Sequence, residues 1–288
     1  MLRKIQKFMS ILLIVFMIAS LLPVSAVVSA QKDSDFTDIE GHLAYERIIR
    51  WWSRGIISGY GDGTFRPDNK ITRAEFAIII NKVFGFIKKA ENQFSDVPAG
   101  AWYGEQLLIA REAGYFKGGS GNKANPHGNI TRQDAAAMLA RVFELQPDTN
   151  GITIFKDADQ ISDYAKGDVG ALVKAGGIHG YPDGTFRPLN SITRAEALII
   201  IDEMIKTYYN EKGTYSQIAS GVVLVTASDV VLKDMTIDGD LYLTEGIGEG
   251  NVTLENVTVS GNTYISGGGE NGITLINSKL NLVLINKN

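Results

Sequence analysis

The sequence predicts an α-helical triple repeat followed by an all-β segment of parallel, solenoid-like rungs. Three observations carry this. The phrase Gly59-Tyr60-Gly61-Asp62-Gly63-Thr64-Phe65-Arg66-Pro67 returns as Gly180-Tyr181-Pro182-Asp183-Gly184-Thr185-Phe186-Arg187-Pro188. In three places a Gly (59, 118, 180) precedes an Arg (73, 132, 194) by 14 residues. After Asn210 a second period near 22 residues begins, with Leu232-Lys233-Asp234-Met235-Thr236-Ile237-Asp238-Gly239 lying over Leu254-Glu255-Asn256-Val257-Thr258-Val259-Ser260-Gly261. Fixed internal periods of these lengths are the mark of repeat architectures.

Each helical repeat opens on an aromatic-polar-Asp triplet: Phe36-Thr37-Asp38, Phe94-Ser95-Asp96 and Phe155-Lys156-Asp157. First helices are expected over about residues 43–54, 102–113 and 164–175, then a glycine-rich loop, then a second helix. In the second helices the apolar positions are Phe76, Ile79, Ile80, Val83 and Phe84; Ala135, Met138, Leu139, Val142 and Phe143; Ala197, Ile200, Ile201, Met204 and Ile205. Their spacing is one face of an amphipathic helix. A lone helix pair buries too little to stand alone, so the copies should pack on one another. The repeats span 36–90, 94–147 and 155–208. A linker is expected over 209–217 and about three rungs over 218–288, Leu275-Ile276-Asn277-Ser278 continuing the period at an offset of 21.

Residues 1–30 read as a secretory signal peptide. Arg3, Lys4 and Lys7 precede an apolar run from Ile11 to Leu22, and Val28-Ser29-Ala30 is a small-residue cleavage site. Without them 25 basic residues face 32 acidic ones, a charge of −7. An acidic chain with no basic stripe argues against nucleic acid as partner, and signal cleavage leaves no membrane partner. The absence of cysteine excludes disulfides, thiolate nucleophiles and cysteine zinc sites. His42, His127 and His179 fall at different points of their repeats and form no ligand set, and Asp62 to Arg73 lacks the terminal Glu of an EF-hand loop. No metal and no cofactor is expected.

Thr72 and Glu75, and again Thr193 and Glu196, form capping boxes; Thr131 with Asp134 is a shorter version. Arg73, Arg132 and Arg194 sit at the first helical position, where the helix dipole disfavours a cation by about 0.3–1 kcal/mol. Two readings stand at this point. The guanidinium and free helix N–H groups make an anion site suited to a carboxylate, or the arginine bridges to a neighbouring repeat, with Asp38, Asp96 and Asp157 as candidate partners. In the loop, Gly61, Gly63 and Gly184 permit turns. Asp62 and Asp183 either bond their own turn or accept from ligand hydroxyls. Tyr60 and Tyr181 either stack on a sugar or pack. Phe65 and Phe186 should be core, Arg66 and Arg187 solvated. Trp102 and Tyr164 open first helices where the first repeat has Leu43, as a platform or as packing.

The phrases Gly-Tyr-x-Asp-Gly-Thr-Phe-Arg-Pro and Ile-Thr-Arg-Ala-Glu, the Phe-x-Asp start and the helix end Gly55-Ile56-Ile57 resemble the S-layer homology (SLH) domain in triplicate, over about residues 36–207. The resemblance implies a pseudo-threefold three-repeat spindle. Its grooves would bind pyruvylated secondary cell-wall polysaccharide, anchoring a secreted protein non-covalently to the bacterial wall. The ketal carboxylate would meet Arg73, Arg132 and Arg194. Repeat two departs from the pattern, with Gly118-Gly119-Ser120-Gly121-Asn122 in the loop and Gln133-Asp134 after the arginine, so repeats one and three are expected to be the better sites.

Two other classes of function bear on such a chain. A surface polysaccharide lyase or glycosidase would need paired carboxylates across rungs. Asp234, Asp238 and Asp240 are the cluster available, but Asp238-Gly239-Asp240 falls at an expected corner and Asn262 stands one rung later, so no enzyme activity is expected. A self-assembling lattice protein would use an open solenoid end to pair with other surface-layer subunits.

Overall fold

The computed structural model describes residues 36–91 and 93–286; the signal-peptide reading of residues 1–30 lies outside them. Six helices alternate with loops: α1 (Tyr45–Ser53), α2 (Arg73–Phe84), α3 (Gly104–Glu112), α4 (Arg132–Val142), α5 (Asp163–Lys174) and α6 (Arg194–Met204). The first helix of each repeat turns out of its axis at Gly55, Gly114 or Gly176, all left-handed with φ of 71°, 78° and 76°, a conformation cheap only for glycine.

Every apolar position expected along the second helices is buried. Ile205, however, opens a strand instead of closing α6. Packing runs around a ring: α2 lies on α3, α4 on α5, and α6 returns to α1. The backbone closes the same ring. Ile130 N–H donates to Ile71 O at 3.0 Å, Ile192 to Ile130 O at 3.2 Å, and Ile71 to Ile192 O at 3.2 Å. These three isoleucines precede the three N-capping threonines and are fully buried. Equivalent residues hydrogen-bonding in a cycle make the triplication a closed pseudo-threefold body, which explains why a single helix pair need not be stable.

The β segment is a parallel solenoid of two sheets. One has the order β1 (Ile205–Tyr209), β4 (Val222–Val225), β6 (Leu241–Leu243), β8 (Thr263–Ile265), β10 (Val283–Ile285). The other has β2 (Gly213–Tyr215), β5 (Val230–Asp238), β7 (Val252–Val259), β9 (Ile273–Ile276), with β3 (Ala219–Ser220) beside β5. The expected register holds, Leu232 pairing with Leu254 and Leu254 with Leu275. The expected linker 209–217 is not one. β1 pairs with β4 and β2 with β5, so the first rung begins at Ile205 and the solenoid has about four turns. Lys206, Thr207 and Lys212 masked it, since a strand with a polar outer side and charged flanks reads as a connector.

The corner reading of Asp238-Gly239-Asp240 is borne out. β5 ends at Asp238 and β6 begins at Leu241, and a Cβ on Gly239 would run into the backbone of Gly221. The carboxylates of this stretch bond along the stack: Asp240 accepts from Asn262 N–H at 2.7 Å, Asp238 from Ser260 Oγ at 3.0 Å, and Asp234 from Asn256 Nδ2 at 2.6 Å.

The solenoid is docked on the helical ring. Tyr208, Leu224, Tyr242, Tyr264 and Leu284 occupy one column of the first sheet, one per rung. The column points away from the solenoid interior and joins the helical core. Tyr242 stacks on Tyr264 at 4.4 Å and meets Phe143 edge-on at 5.8 Å. Its hydroxyl donates to Phe143 O at 2.9 Å, and that of Tyr208 donates to Val83 O at 2.9 Å. The column therefore caps the C-terminal carbonyls of α4 and α2, groups a helix leaves unsatisfied.

Candidate functional site: three grooves between repeats

The N-terminus of each second helix sets the site. Thr72 and Thr193 accept from Glu75 and Glu196 N–H, and both glutamates return a bond to the cap, so both boxes are complete. Thr131 accepts from Asp134 N–H only, because an aspartate side chain is one methylene too short to reach back.

The next two N–H groups of each helix are not free. Arg73 and Ala74 N–H donate to Gly128 O and Pro126 O; Arg132 and Gln133 to Asn190 O and Pro188 O; Arg194 and Ala195 to Asn69 O and Pro67 O. In each case the acceptor is the loop of the following repeat. The expectation of free helix N–H groups is therefore corrected: those donors already have backbone partners.

The arginine side chains follow the same direction. Arg73 Nε donates to Ala124 O at 2.9 Å and Nη1 to Asp134 at 3.2 Å. Arg194 Nε donates to Phe65 O at 2.9 Å and Nη2 to Ser58 O at 3.1 Å, with Nη1 3.5 Å from Glu75. Arg132 Nη2 donates to His179 O at 2.6 Å, while its buried Nε has no hydrogen-bond partner among the described residues. Arg132 and Arg194 are 8% and 7% exposed. Asp38, Asp96 and Asp157 are not their partners. Each instead accepts two backbone N–H bonds within its own repeat, Phe65 and Arg66, Ala124 and Asn125, Phe186 and Arg187.

A groove opens at each of these contacts. Groove A holds Arg73 with the repeat-two loop Lys117–Asn125 and Tyr164, in a cavity of about 660 Å³. Groove B holds Arg194 with Ser58–Tyr60, Glu75 and Trp102, about 170 Å³. Groove C holds Arg132 with Gly177–Pro182 and Glu196, about 230 Å³. Grooves A and B each draw an arginine from one repeat, a loop from the next and an aromatic from the third. In groove C, Leu43, at the place of that aromatic, is not part of the lining.

The loop residues divide. Tyr60 and Tyr181 line grooves B and C. Each lies under two guanidiniums, Tyr60 4.0 Å from Arg66 and 5.1 Å from Arg194, Tyr181 4.1 Å from Arg187 and 4.9 Å from Arg132. Asp62 and Asp183 line no groove. They accept from Thr64 and Thr185 and pair with Arg66 and Arg187 at 2.7 Å. These partners, the threonine hydroxyl first, hold Asp62 at a pKa of about 2 and Asp183 lower still. Arg66 and Arg187, expected to be solvated, are 42% and 43% exposed at the side chain and paired at the surface. Gly63 and Gly184 are left-handed, with φ of 78° and 83°. Gly61 has neither a positive φ nor a close neighbour. The glycine that packing does require is Gly59 or Gly180, where a Cβ would strike Phe36 or Phe155.

Groove A is the roomiest because Gly119 stands where Tyr60 and Tyr181 stand elsewhere. It is also the most basic: Arg73, Lys117, Lys123 and Arg141 line it against one carboxylate, Asp134. Groove B has Lys82 and Arg194 against Glu75, and groove C has Arg132 against Glu196 and Glu203. Tyr164 is fixed over groove A, donating to Asp134 at 2.7 Å and accepting from Gln133 at 3.0 Å. Burial and the Asp134 carboxylate push its phenol up to about 12. The repeat-two loop, whose departures from the pattern set it apart in the sequence, thus lines the roomiest and most basic of the three grooves. Sequence reading missed Lys117, Lys123 and Arg141, which the repeat motif does not include; a count of lysines flanking the aberrant loop would have found two of them.

No group of three or more His, Asp or Glu side chains able to hold a metal occurs among the described residues. No helix among them is long and apolar enough to cross a membrane.

Comparison with known proteins agrees with the repeat assignment. Residues 35–77, 93–136 and 154–198 each match the S-layer homology domain. The chain is 34% identical over 176 residues to an amylopullulanase of Thermoanaerobacterium thermosulfurigenes, covering 59% of this chain and 9% of that protein. It is 31% identical over 159 residues to a cellulosome-anchoring protein of Acetivibrio thermocellus, 52% of this chain and 35% of that one. With the S-layer protein sap of Bacillus anthracis it shares 30% identity over 215 residues, 73% of this chain and 25% of that one. The chain thus spans about a third or less of the length of these relatives. The closed ring of arginine-bearing helices is therefore a triple of S-layer homology domains, and a parallel β-solenoid follows it.

Proposed function

We propose that this chain anchors a bacterial surface protein non-covalently to the cell wall by binding an acidic, pyruvylated secondary cell-wall polysaccharide in the grooves between its repeats. The relatives include an anchoring protein and S-layer proteins, which supports a place at the cell surface. The single observation that carries the glycan reading is groove A, where Lys117 and Lys123 join Arg73, paired with Asp134, and Arg141, paired with Asp168, around a cavity large enough for a sugar unit. Arg73 Nη2 makes no hydrogen bond to the described residues, so a ketal carboxylate can take a charge-assisted bond there. Tyr164 supplies the wall opposite.

Residues 31–288 should co-sediment with wall sacculi and lose that binding when the pyruvyl groups are removed. Equal binding to ketal-free wall would overturn the carboxylate mechanism. We infer a binding role without catalysis, since the solenoid carboxylates that could pair for hydrolysis are bonded along the stack; release of reducing sugar from purified wall polysaccharide would overturn that.

A second reading, end-on association with other surface-layer subunits, has one observation in its favour. Leu275 is 50% exposed on the last described rung, whereas Leu232 and Leu254 in the same column are 0% exposed. Sedimentation velocity that stays monomeric across concentrations would exclude it.

A further inference from the structure

We propose a second, neutral-sugar subsite on the repeat-two side of Trp102, distinct from the arginine grooves. The proposal rests on the glycan-binding reading above. Trp102 is 70% exposed; its ring meets Tyr103 edge-on at 5.4 Å, and Tyr103 contacts His127, ring to ring at 4.9 Å and hydroxyl to Nε2 at 3.1 Å. A large exposed aromatic offers an apolar face on which a sugar ring can be buried.

This indole forms a wall of two cavities at once. On one side is groove B with Arg194. On the other is a separate cavity of about 430 Å³, lined by Phe94, Val97, Pro98, Ala101 and Leu108, with Gln93 among its polar groups. Among the described residues the only charged groups lining it are Lys89 and Glu105, bonded to each other at 2.9 Å. An acidic unit would find no unpaired cation there. A neutral pyranose would find an apolar floor, an indole face, and donors and acceptors at the rim, the composition of a small-molecule site. Its floor includes the repeat-two chain between Asp96 and Trp102, Val97-Pro98-Ala99-Gly100-Ala101. Since Trp102 is shared, a polymer with an acidic unit in groove B beside Lys82 passes its next, uncharged unit over the indole.

The test is calorimetric titration of residues 31–288 with a pyruvylated N-acetylhexosamine monosaccharide and with the same unit extended by two neutral N-acetylhexosamines. The extension should tighten binding about tenfold, the equivalent of one net hydrogen bond with ring burial. Trp102→Ala should erase that gain. Ala99→Phe, a change at an exposed residue that lines this cavity and not groove B, should erase it while leaving monosaccharide affinity unchanged, which separates the subsite from groove B. Equal affinity for both probes, or an extension gain that survives both substitutions, would overturn the subsite while the anchoring reading stands. Failure of both probes to bind the wild type would overturn the two together.

Discussion

Truncating Tyr242 to Ala should destabilise the helical repeats although the residue lies in the solenoid. Tyr242 is 5% exposed, stacked on Tyr264 and edge-on to Phe143, and donates to Phe143 O. Loss of a fully packed aromatic costs about 3–5 kcal/mol. The hydroxyl alone, removed in Tyr242→Phe, leaves the Phe143 carbonyl unpaired at a cost of about 1–3 kcal/mol. All three tryptophans of the chain lie in the helical repeats, and Trp51 is buried against Tyr208. Tryptophan fluorescence therefore reports the ring, and far-ultraviolet circular dichroism near the strand minimum reports the rungs. In urea both signals should move together to lower denaturant by an amount matching several kcal/mol, with Tyr242→Phe between the variant and the wild type. A fluorescence midpoint that stays put while the strand signal moves would refute the single shared core. The same reasoning warns against testing wall binding on residues 31–210, which would strip Leu224, Tyr242, Tyr264 and Leu284 from the ring.

Arg194→Ala should strand the Phe65 and Ser58 carbonyls at about 1–3 kcal/mol each, so thermal melting should fall alongside wall binding, and a melt unchanged from wild type would contradict the interlock. Gly119→Tyr, at an extended backbone with φ of −119°, should change stability by under about 1 kcal/mol, yet reduce sacculus binding by filling groove A; undiminished binding would move the site elsewhere. Asp62 has its pKa lowered to about 2 by the Thr64 hydroxyl and Arg66. A depressed carboxylate contributes stability that is fully present above its unfolded value near about 4 and is lost as pH falls through the folded value. The melting difference between wild type and Asp62→Asn should therefore shrink from pH 5 toward pH 2, and a constant difference would count against the turn carboxylate.

Most of the helical part was legible because three copies of one pattern are in the sequence: Thr72 and Glu75 spelled a capping box, and Phe76, Ile79 and Ile80 a buried face, and both hold. What stayed hidden was direction. Nothing in Ile71-Thr72-Arg73 says that its donors reach the loop of the next repeat, because that partner is set by ring closure over long sequence separations. The first rung was missed for a related reason: Tyr208 points outward from the solenoid, and its apolar surface has meaning only against Trp51 and Val83. The tyrosine column is an outside face of one element and an inside face of another, a distinction that alternation along a strand cannot express.

The arginine at the first turn of α2, α4 and α6 looks unfavourable when a helix is considered alone, since a cation sits at a positive dipole end. The ring removes the conflict. The exposed N–H groups that carry most of the dipole's partial charge are bonded to carbonyls at 2.8–3.1 Å, and the same loop offers further carbonyls to the guanidinium. One arginine thus ties its helix to the next repeat while lining the crevice there. The interlocking side chain also lines a groove because the contact that closes the ring is also the crevice between repeats. Groove identity can then change by loop substitutions such as Gly119 for tyrosine without opening the ring, which explains how one closed body carries three grooves of different size and charge.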